Sequence, residues 1–249
     1  MQNKKLAEIQ ASCFKFILYI YGGKISGGQA SDIGGNIYVT SGTTDATKST
    51  FNMSGTATIS NGTAVGNKAG DGGGNLYLTC SANTGSTLMA TISGGTLSGG
   101  KAIGSDSFTD ADGGNIYISK GTLTISGGTI TAGEARSDGD GILVGYWATK
   151  VVLQGSAKIQ NNGASNSTSV EDISVNLKST NYLTLGQWNG NDADKALKIT
   201  LVTPGNNKVV VAPDQNVTID DAVLSKFISA NSDYNLALNS SGRIVLKTK

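Results

Sequence analysis

One segment of the chain, residues 113–135, is the most compact copy of a repeat that recurs through much of the sequence. It reads GGNIYISKGTLTISGGTITAGEA. Its opening motif, Gly-Gly-Asn-aliphatic-Tyr-aliphatic, also occurs as GGNIYV from Gly34, as GGNLYL from Gly73 and, decayed, as GDGILV from Gly139. One copy is too short to bury a core alone, so the repeat must stack on its neighbours.

Two further motifs follow the first in each copy. The second occurs as ATISN, ATISG and LTISG, and the third as TAVGNKA, TLSGGKA and TITAGEA. Each alternates apolar and polar residues, which is the period of a half-buried strand, and glycines separate the motifs. We therefore predict three short strands and three turns per repeat. Surplus residues at 40–55, 79–89 and 103–111 are interpreted as loops, and the loops after Val39, Leu78 and Ala102 are predicted to carry function.

The alternation also predicts which side chains face the core. In the first motif the aliphatic pair persists in the decayed copy, whereas the Asn and Tyr are lost. Successive side chains of a strand point to opposite faces, so the aliphatic residues are predicted to point inward and the Asn and Tyr outward. In the second motif, Ala57 and Ile59 are predicted to be inward and to stack on Ala90 and Ile92.

Composition favours an all-β chain and argues against several functions. The 249 residues include 35 Gly and 2 Pro, which suits short strands between tight turns. A net charge of +1 without a basic run gives no case for nucleic acid, and no 18-residue apolar run predicts a membrane span. Histidine, the commonest general base and zinc ligand, is absent. Cys13 and Cys80 fit no metal or redox spacing and are predicted to be free and buried.

Both ends are predicted to close the repeat region. Leu6, Ile9, Cys13 and Phe16 recur at helical spacing, so residues 4–16 are predicted to form a short amphipathic capping helix. The N-terminus lacks a clean cleavage site, which argues against a signal peptide. We predict a cap at 1–20, repeats at 21–180, and irregular strands with a closing hairpin at 181–249. A small separate β-domain from about residue 180 is the alternative.

The GGN-aliphatic and TISGGT units resemble right-handed parallel β-helix proteins of the pectin-lyase-like architecture, in particular repeat regions of bacterial surface proteins of the adhesin type. The resemblance covers residues 20–180. It implies an all-β, right-handed, three-sided parallel β-helix, a solenoid, at the cell surface or outside the cell. It does not define an activity, because this scaffold carries lyases, hydrolases, adhesins and phage tail parts.

Four sets of recurring side chains are candidates for binding or for contacts between repeats. A ladder of outward tyrosines is predicted to bind sugar rings or to stack between repeats: Tyr38, Tyr77, Tyr117. Asn36, Asn75 and Asn115 are predicted to form a second ladder joined by side-chain amides. Aspartates recur before each first strand and would bind calcium, the one cofactor considered, or form turns with their own backbone: Asp32, Asp71, Asp112, Asp138. Two threonine rows resemble ice-binding faces: Thr58, Thr91, Thr124 and Thr63, Thr96, Thr129.

The function predicted from these patterns is a non-catalytic, adhesin-like surface module that binds a glycan or a surface protein. The outward positions of the first strand carry no acid pair and no base, as a polysaccharide lyase or hydrolase would need. Ice binding through the threonine rows and a polysaccharide lyase or hydrolase activity are the two alternatives.

Overall fold

The described part of the chain is nearly all β, with one short helix. The computed structural model describes residues 8–9, 16–41, 48–81, 87–105, 110–163, 174–191 and 195–249. The elements in chain order are β1 (Glu8–Ile9), β2 (Phe16–Ile20), β3 (Lys24–Ser26), β4 (Gln29–Ala30), β5 (Ile37–Thr40), β6 (Lys48–Met53), β7 (Thr58–Ser60), β8 (Thr63–Gly66), β9 (Leu76–Thr79), β10 (Thr87–Ser98), β11 (Lys101–Gly104), β12 (Ile116–Thr131), β13 (Glu134–Ala135), β14 (Ile142–Gly155), β15 (Lys158–Ile159), β16 (Val175–Leu177), β17 (Leu183–Trp188), β18 (Leu197–Leu201), β19 (Val209–Pro213), α1 (Asp221–Leu224), β20 (Phe227–Ser229), β21 (Tyr234–Leu238) and β22 (Ile244–Thr248).

Strands of successive repeats pair in parallel, and the pairings form four ladders. The first ladder contains β1, β5, β9, the starts of β12 and β14, β16, β18 and β20. The second contains β2, β6, the start of β10, the middles of β12 and β14, β17 and β19. The third contains β3, β7, the ends of β10 and β12, and β15. The fourth contains β4, β8, β11 and β13.

The prediction of three strands per repeat is therefore wrong, because each complete repeat contributes four. The missed strand is β6, which lies inside residues 40–55, a stretch interpreted as a loop. The stacking of strands predicted from the sequence is wrong at the same place. Ala57 and Ile59 belong to the third ladder, where Ile59 pairs with Leu97, whereas Ala90 and Ile92 belong to the second ladder. The two near-identical ATIS sequences lie in different ladders. Aligning the repeats by sequence similarity therefore matched strands that are not neighbours in the structure.

The core follows the predicted alternation despite that error. The inward aliphatic residues of the first ladder, such as Leu76, Leu78, Ile116 and Ile118, are fully buried in one continuous cluster that extends through all repeats. Each side chain lies over its counterpart in the next strand, about 4.8 Å away. Burial of each repeat therefore depends on the presence of both neighbours.

The N-terminal helix prediction is wrong at every described residue of residues 4–16. Glu8 and Ile9 pair in parallel with Tyr38 and Val39 of β5, and Phe16 begins β2. Pairing satisfies the backbone edge of β5, a gain that an isolated short helix would not provide. The remaining residues of that stretch lie outside the described part.

The C-terminal hairpin is confirmed, because β21 and β22 pair antiparallel and β22 also pairs antiparallel with β19. The first and second ladders continue through residue 180 without a break, since β16 pairs with β14 and β18 pairs with β16. In the described residues the third ladder ends at β15 and the fourth at β13. The predicted domain boundaries remain predictions.

Candidate functional site

The tyrosine ladder exists, but its rings are covered. Tyr38, Tyr77 and Tyr117 lie in register on β5, β9 and β12, with ring centroids 5.8 Å and 4.9 Å apart. Tyr77 and Tyr117 are only 7% and 5% exposed, and with Leu143 and Ile33 the ladder forms a small second core. The predicted outward exposure is thus wrong for Tyr77 and Tyr117, because other segments pack on the rings.

Two contacts show how the rings are covered. The Tyr77 hydroxyl donates a hydrogen bond to the carbonyl of Gly70 at 3.1 Å. The backbone of Gly145 lies so close to Tyr117 that a β-carbon there would be 2.9 Å from Cε2 of the ring. Burial raises the pKa of Tyr77 to about 12, and it raises the pKa of Tyr117 as well. The ring faces are not accessible to a sugar in this arrangement.

The asparagine ladder is confirmed, and it is buried rather than outward. Asn36 Nδ2 donates to Asn75 Oδ1 at 2.8 Å, Asn75 donates to Asn115 at 2.7 Å, and Asn115 donates to Asn162 at 3.1 Å. Each Oδ1 also accepts from a backbone N–H, that of Gly62 in the case of Asn75. The four amides join four repeats, and their hydrogen bonds are made within the protein.

Asn162 was missed by the sequence analysis because it does not come from the GGN motif. The decayed motif has Gly141 where the earlier copies have Asn, and Asn162 reaches the same column from the turn after β15. The paired letters Asn161 and Asn162 after the third-ladder strand were the only sequence signal.

The four predicted calcium ligands are not brought together. Gly72 forms parallel bridges with Ile33 and Asp112, so Asp32 and Asp71 lie one position before the column that contains Asp112. Asp71 Oδ2 accepts from the backbone N–H groups of Asn67 and Lys68, which is the turn role considered as the alternative. Across the described ranges no group of three or more His, Cys, Asp or Glu side chains could hold a metal ion. Calcium is therefore not proposed.

A lysine compensates the charge of the other two aspartates. Lys178 Nζ forms an ion pair with Asp112 Oδ2 at 2.6 Å, with the Asp112 side chain 0% exposed. Asp138 Oδ1 accepts from Asn176 Nδ2 at 2.8 Å. Burial raises the pKa of Asp112 to about 6, against the lowering effect of Lys178, and it raises that of Asp138. Burial lowers the pKa of Lys178, but the hydrogen bond and charge of Asp112 outweigh it and raise that pKa.

The raised pKa of Asp112 predicts a pH dependence of stability. Because the folded state binds this proton more tightly than the unfolded state, the group's contribution to the free energy of unfolding is largest below pH 4. It falls by about 3 kcal/mol as the pH rises through 6. Urea unfolding between pH 4 and pH 7.5 should therefore show the wild type losing stability relative to Asp112→Asn. Parallel curves for the two proteins would contradict the prediction.

The threonine rows differ from those predicted. Thr58, Thr96 and Thr129 form one column on the third ladder, flanked by Lys24 and Lys158. Thr91 and Thr124 pair on the second ladder, and Thr63 lies on the fourth between Gln29 and Lys101. The regular part of a row is thus three threonines long, and no observation favours ice binding over the ordinary preference of threonine for strands.

Besides Tyr19 and Tyr21, the exposed aromatic side chains of the described residues lie at the corner where the chain passes from the first ladder to the second. Trp147 is 72% exposed and Tyr146 54%, with ring centroids 6.4 Å apart. Two extra residues in β14 produce this corner, because the pairing of β14 with β12 shifts register on either side of Trp147. Tyr182, also exposed, lies at the same corner of the next repeat. We call Tyr146, Trp147 and Tyr182 the aromatic corner.

A groove of ≈180 Å³ lies at the aromatic corner. It is lined by Tyr182, Asn181, Thr149 and Lys150, together with apolar atoms of Val144 and Ala148. Asn181 Nδ2 donates to the carbonyl of Gly145 at 2.5 Å, which ties the turn of Asn181 to the aromatic corner. Lys150 Nζ is paired with Asp214 Oδ1 at 3.2 Å, so its charge is balanced. The groove offers the ring of Tyr182, hydroxyl groups and the Asn181 amide without a net charge.

Of the loops predicted to carry function, residues 42–47, 82–86 and 106–109 lie outside the described residues. Cys80 is free and buried, as predicted, and Cys13 lies outside the described residues. No helix in the described part of the chain is long and apolar enough to cross a membrane. In comparisons with known proteins, no protein-family model matches the chain, and neither a curated protein nor a solved structure matches it significantly.

Proposed function

We propose that this protein is a non-catalytic, adhesin-like module of the cell surface that binds an uncharged glycan at the aromatic corner. In this proposal the four ladders wind as a right-handed parallel β-helix, which holds the aromatic corner rigidly. The parallel register of successive repeats supports that architecture. The single observation that carries the binding proposal is the exposure of Tyr146 and Trp147 directly before a polar groove that begins at Ala148 and contains the ring of Tyr182.

Clustered exposed rings are costly unless a partner covers them. A buried aromatic side chain removes 150–250 Å² from water, at about 25 cal/mol per Å², so three exposed rings at one corner are a substantial unused source of binding energy. Sugar rings have apolar faces and hydroxyl edges. The apolar faces suit the aromatic side chains, and the hydroxyls suit donors and acceptors such as Asn181 and Thr149.

The groove favours a glycan over a protein surface. Stable protein interfaces usually exceed about 1,000 Å², whereas the groove beside Tyr182 has a volume of only ≈180 Å³. The Lys150–Asp214 pair leaves no net charge to select an acidic sugar. The contacts of Asp112 and Asp138 support a non-catalytic role. Lys178 pairs with Asp112 and Asn176 donates to Asp138, so neither carboxylate is presented to a substrate.

Trp147→Ala should weaken glycan binding at least about tenfold, because it removes the most exposed ring of the aromatic corner and its stacking energy. A glycan array of purified protein followed by calorimetric titration would measure this. Trp147→Phe should keep part of the affinity. Tyr19→Ala, at an equally exposed tyrosine on the first strand of the second ladder, is the matched control and should change nothing. No glycan bound, or equal effects at Trp147 and Tyr19, would overturn the proposal.

A further inference from the structure

A second groove lies further along the second ladder, at the C-terminal ends of three of its strands. It has a volume of ≈450 Å³ and is lined by Gln154, Gln187, Asp214, Gln215 and Asn216 around Gly186. These residues come from three successive repeats: Gln154 from β14, Gln187 from β17, and the others from the turn after β19. We call it the amide groove.

The backbone positions these amides. Gly186 leaves room for Gln154, since a β-carbon at position 186 would lie 2.7 Å from both Cβ and Oε1 of that glutamine. Asn216 has φ 61°, and the Val217 N–H donates to the Asp214 carbonyl at 3.2 Å. Asparagine tolerates this left-handed conformation better than most residues, so the turn presents Gln215 and Asn216 outward.

The glutamine side chains of the amide groove have unused hydrogen-bonding capacity. Gln187 and Gln215 are exposed, Gln154 is half-buried, and none of their three amides bonds to another residue of the described ranges. Each amide offers two donors and an acceptor. Among the described residues that line the amide groove, one carboxylate is present, that of Asp214, and it is paired with Lys150. Such a surface is suited to a ligand rich in hydroxyl groups and without charge.

The Lys150–Asp214 ion pair joins the amide groove to the groove at the aromatic corner, since Lys150 lines one and Asp214 the other. Between them on the same strands lie Val152, Thr184 and Ala212, which are buried, so the partly exposed Lys150–Asp214 pair is the surface that connects the two grooves. From Lys150 to Gln154 along β14 the distance is about 13 Å, at about 3.3 Å per residue. The two grooves therefore lie along the same ladder and meet at the Lys150–Asp214 pair.

We propose that the amide groove is a second subsite for the same uncharged glycan, which runs from the aromatic corner across the Lys150–Asp214 pair into the amide groove. This inference rests on the proposed glycan-binding function. It adds a requirement for chain length: a disaccharide occupies the aromatic corner alone, whereas a longer oligosaccharide reaches Gln187 and Gln215.

Calorimetric titration with disaccharides and hexasaccharides of the cello, manno and malto series would test this. A hexasaccharide should bind more tightly than its disaccharide. The double variant Gln187→Ala/Gln215→Ala should weaken the hexasaccharide about tenfold, the value of two lost hydrogen bonds, and leave the disaccharide unchanged. Gln29→Ala, an exposed glutamine on the fourth ladder, is the matched control and should have no effect.

The outcomes separate this inference from the proposed function. If Trp147→Ala weakens both ligands while the double glutamine variant behaves as wild type, the second subsite is refuted and the aromatic corner stands. Equal affinity for disaccharide and hexasaccharide would likewise refute the second subsite. If none of the three series binds, or if binding ignores Trp147, both proposals fail.

Discussion

Replacing Asn75 by leucine should lower the free energy of unfolding by about 4 kcal/mol. Asn75 is fully buried, and its amide makes four hydrogen bonds: Oδ1 accepts from Asn36 and from the Gly62 N–H, and Nδ2 donates to Asn115 and to the Ser98 carbonyl. Leucine has a similar volume but satisfies none of these four partners. Each buried group left without a partner costs about 1–3 kcal/mol.

Chemical denaturation with urea would measure the effect. A loss of 4 kcal/mol is a large part of the roughly 5–15 kcal/mol that stabilises a typical protein. The same substitution at Asn52 is the control, because Asn52 lies on the outward face of the second ladder beside Thr91. Asn52→Leu should change the free energy of unfolding by no more than about 0.5 kcal/mol. Similar losses at the two positions would show that the amide ladder does not stabilise the fold as argued.

Replacing Lys178 by methionine should cost about 3–5 kcal/mol, because it leaves the Asp112 carboxylate buried without its cation. Asp112→Asn should cost a similar amount at neutral pH by leaving the Lys178 ammonium buried without this carboxylate. One oxygen of Asp112, Oδ1, already has no hydrogen-bond partner among the described residues, which makes the remaining contact more important. The pair links the turn before β12 to the residue after β16, across the intervening repeat.

The double variant Asp112→Asn/Lys178→Met should recover most of the loss, since no buried charge of this pair then remains. The exposed pair of Lys101 and Glu134, at 2.8 Å, is the matched control. Glu134→Ala should change the free energy of unfolding by less than about 1 kcal/mol, because water solvates both charges. If the two pairs cost the same, or if the double variant is no more stable than the single ones, the buried charge is not the source of the effect.

The comparison of sequence with structure is most informative at the strand β6. Its letters, KSTFNM, resemble no other copy, yet they occupy the place in the second ladder that MATIS residues of β10 occupy one repeat later. Phe51 and Met53 fill the core there. A repeat is recognised in a sequence from recurring residues, but a strand in a ladder requires only apolar side chains at alternate positions. The strand β6 therefore pairs in the second ladder although it does not carry the motif.

The tyrosine ladder shows a second limit. Alternation correctly assigned Tyr38, Tyr77 and Tyr117 to the side of the strand opposite the aliphatic core. Whether that side meets water depends on segments distant in sequence, such as the turn at Gly70 and the backbone at Gly145. Strand periodicity predicts which face a side chain points to, but it does not predict which segments cover that face.

The aromatic corner could not be predicted from the repeat, because it arises where the repeat is broken. Tyr146 and Trp147 follow the decayed motif GDGILV, where β14 has extra residues relative to β12. Tyr182 is about one repeat further along the chain. Two adjacent aromatic residues after the motif were a signal in the sequence, but the position of Tyr182 on the next strand of the ladder depends on the stacking of β14 on β17.

The sequence by itself determined the all-β class, the parallel repetition, the inward aliphatic residues and the amide ladder, because each depends on local period and on letters that recur. Only the tertiary structure decided the number of ladders, the burial of the tyrosines, the pairing of Lys178 with Asp112 and the position of the aromatic corner. Those features depend on contacts between residues tens of positions apart, and neither local periodicity nor a recurring motif specifies which of those residues meet.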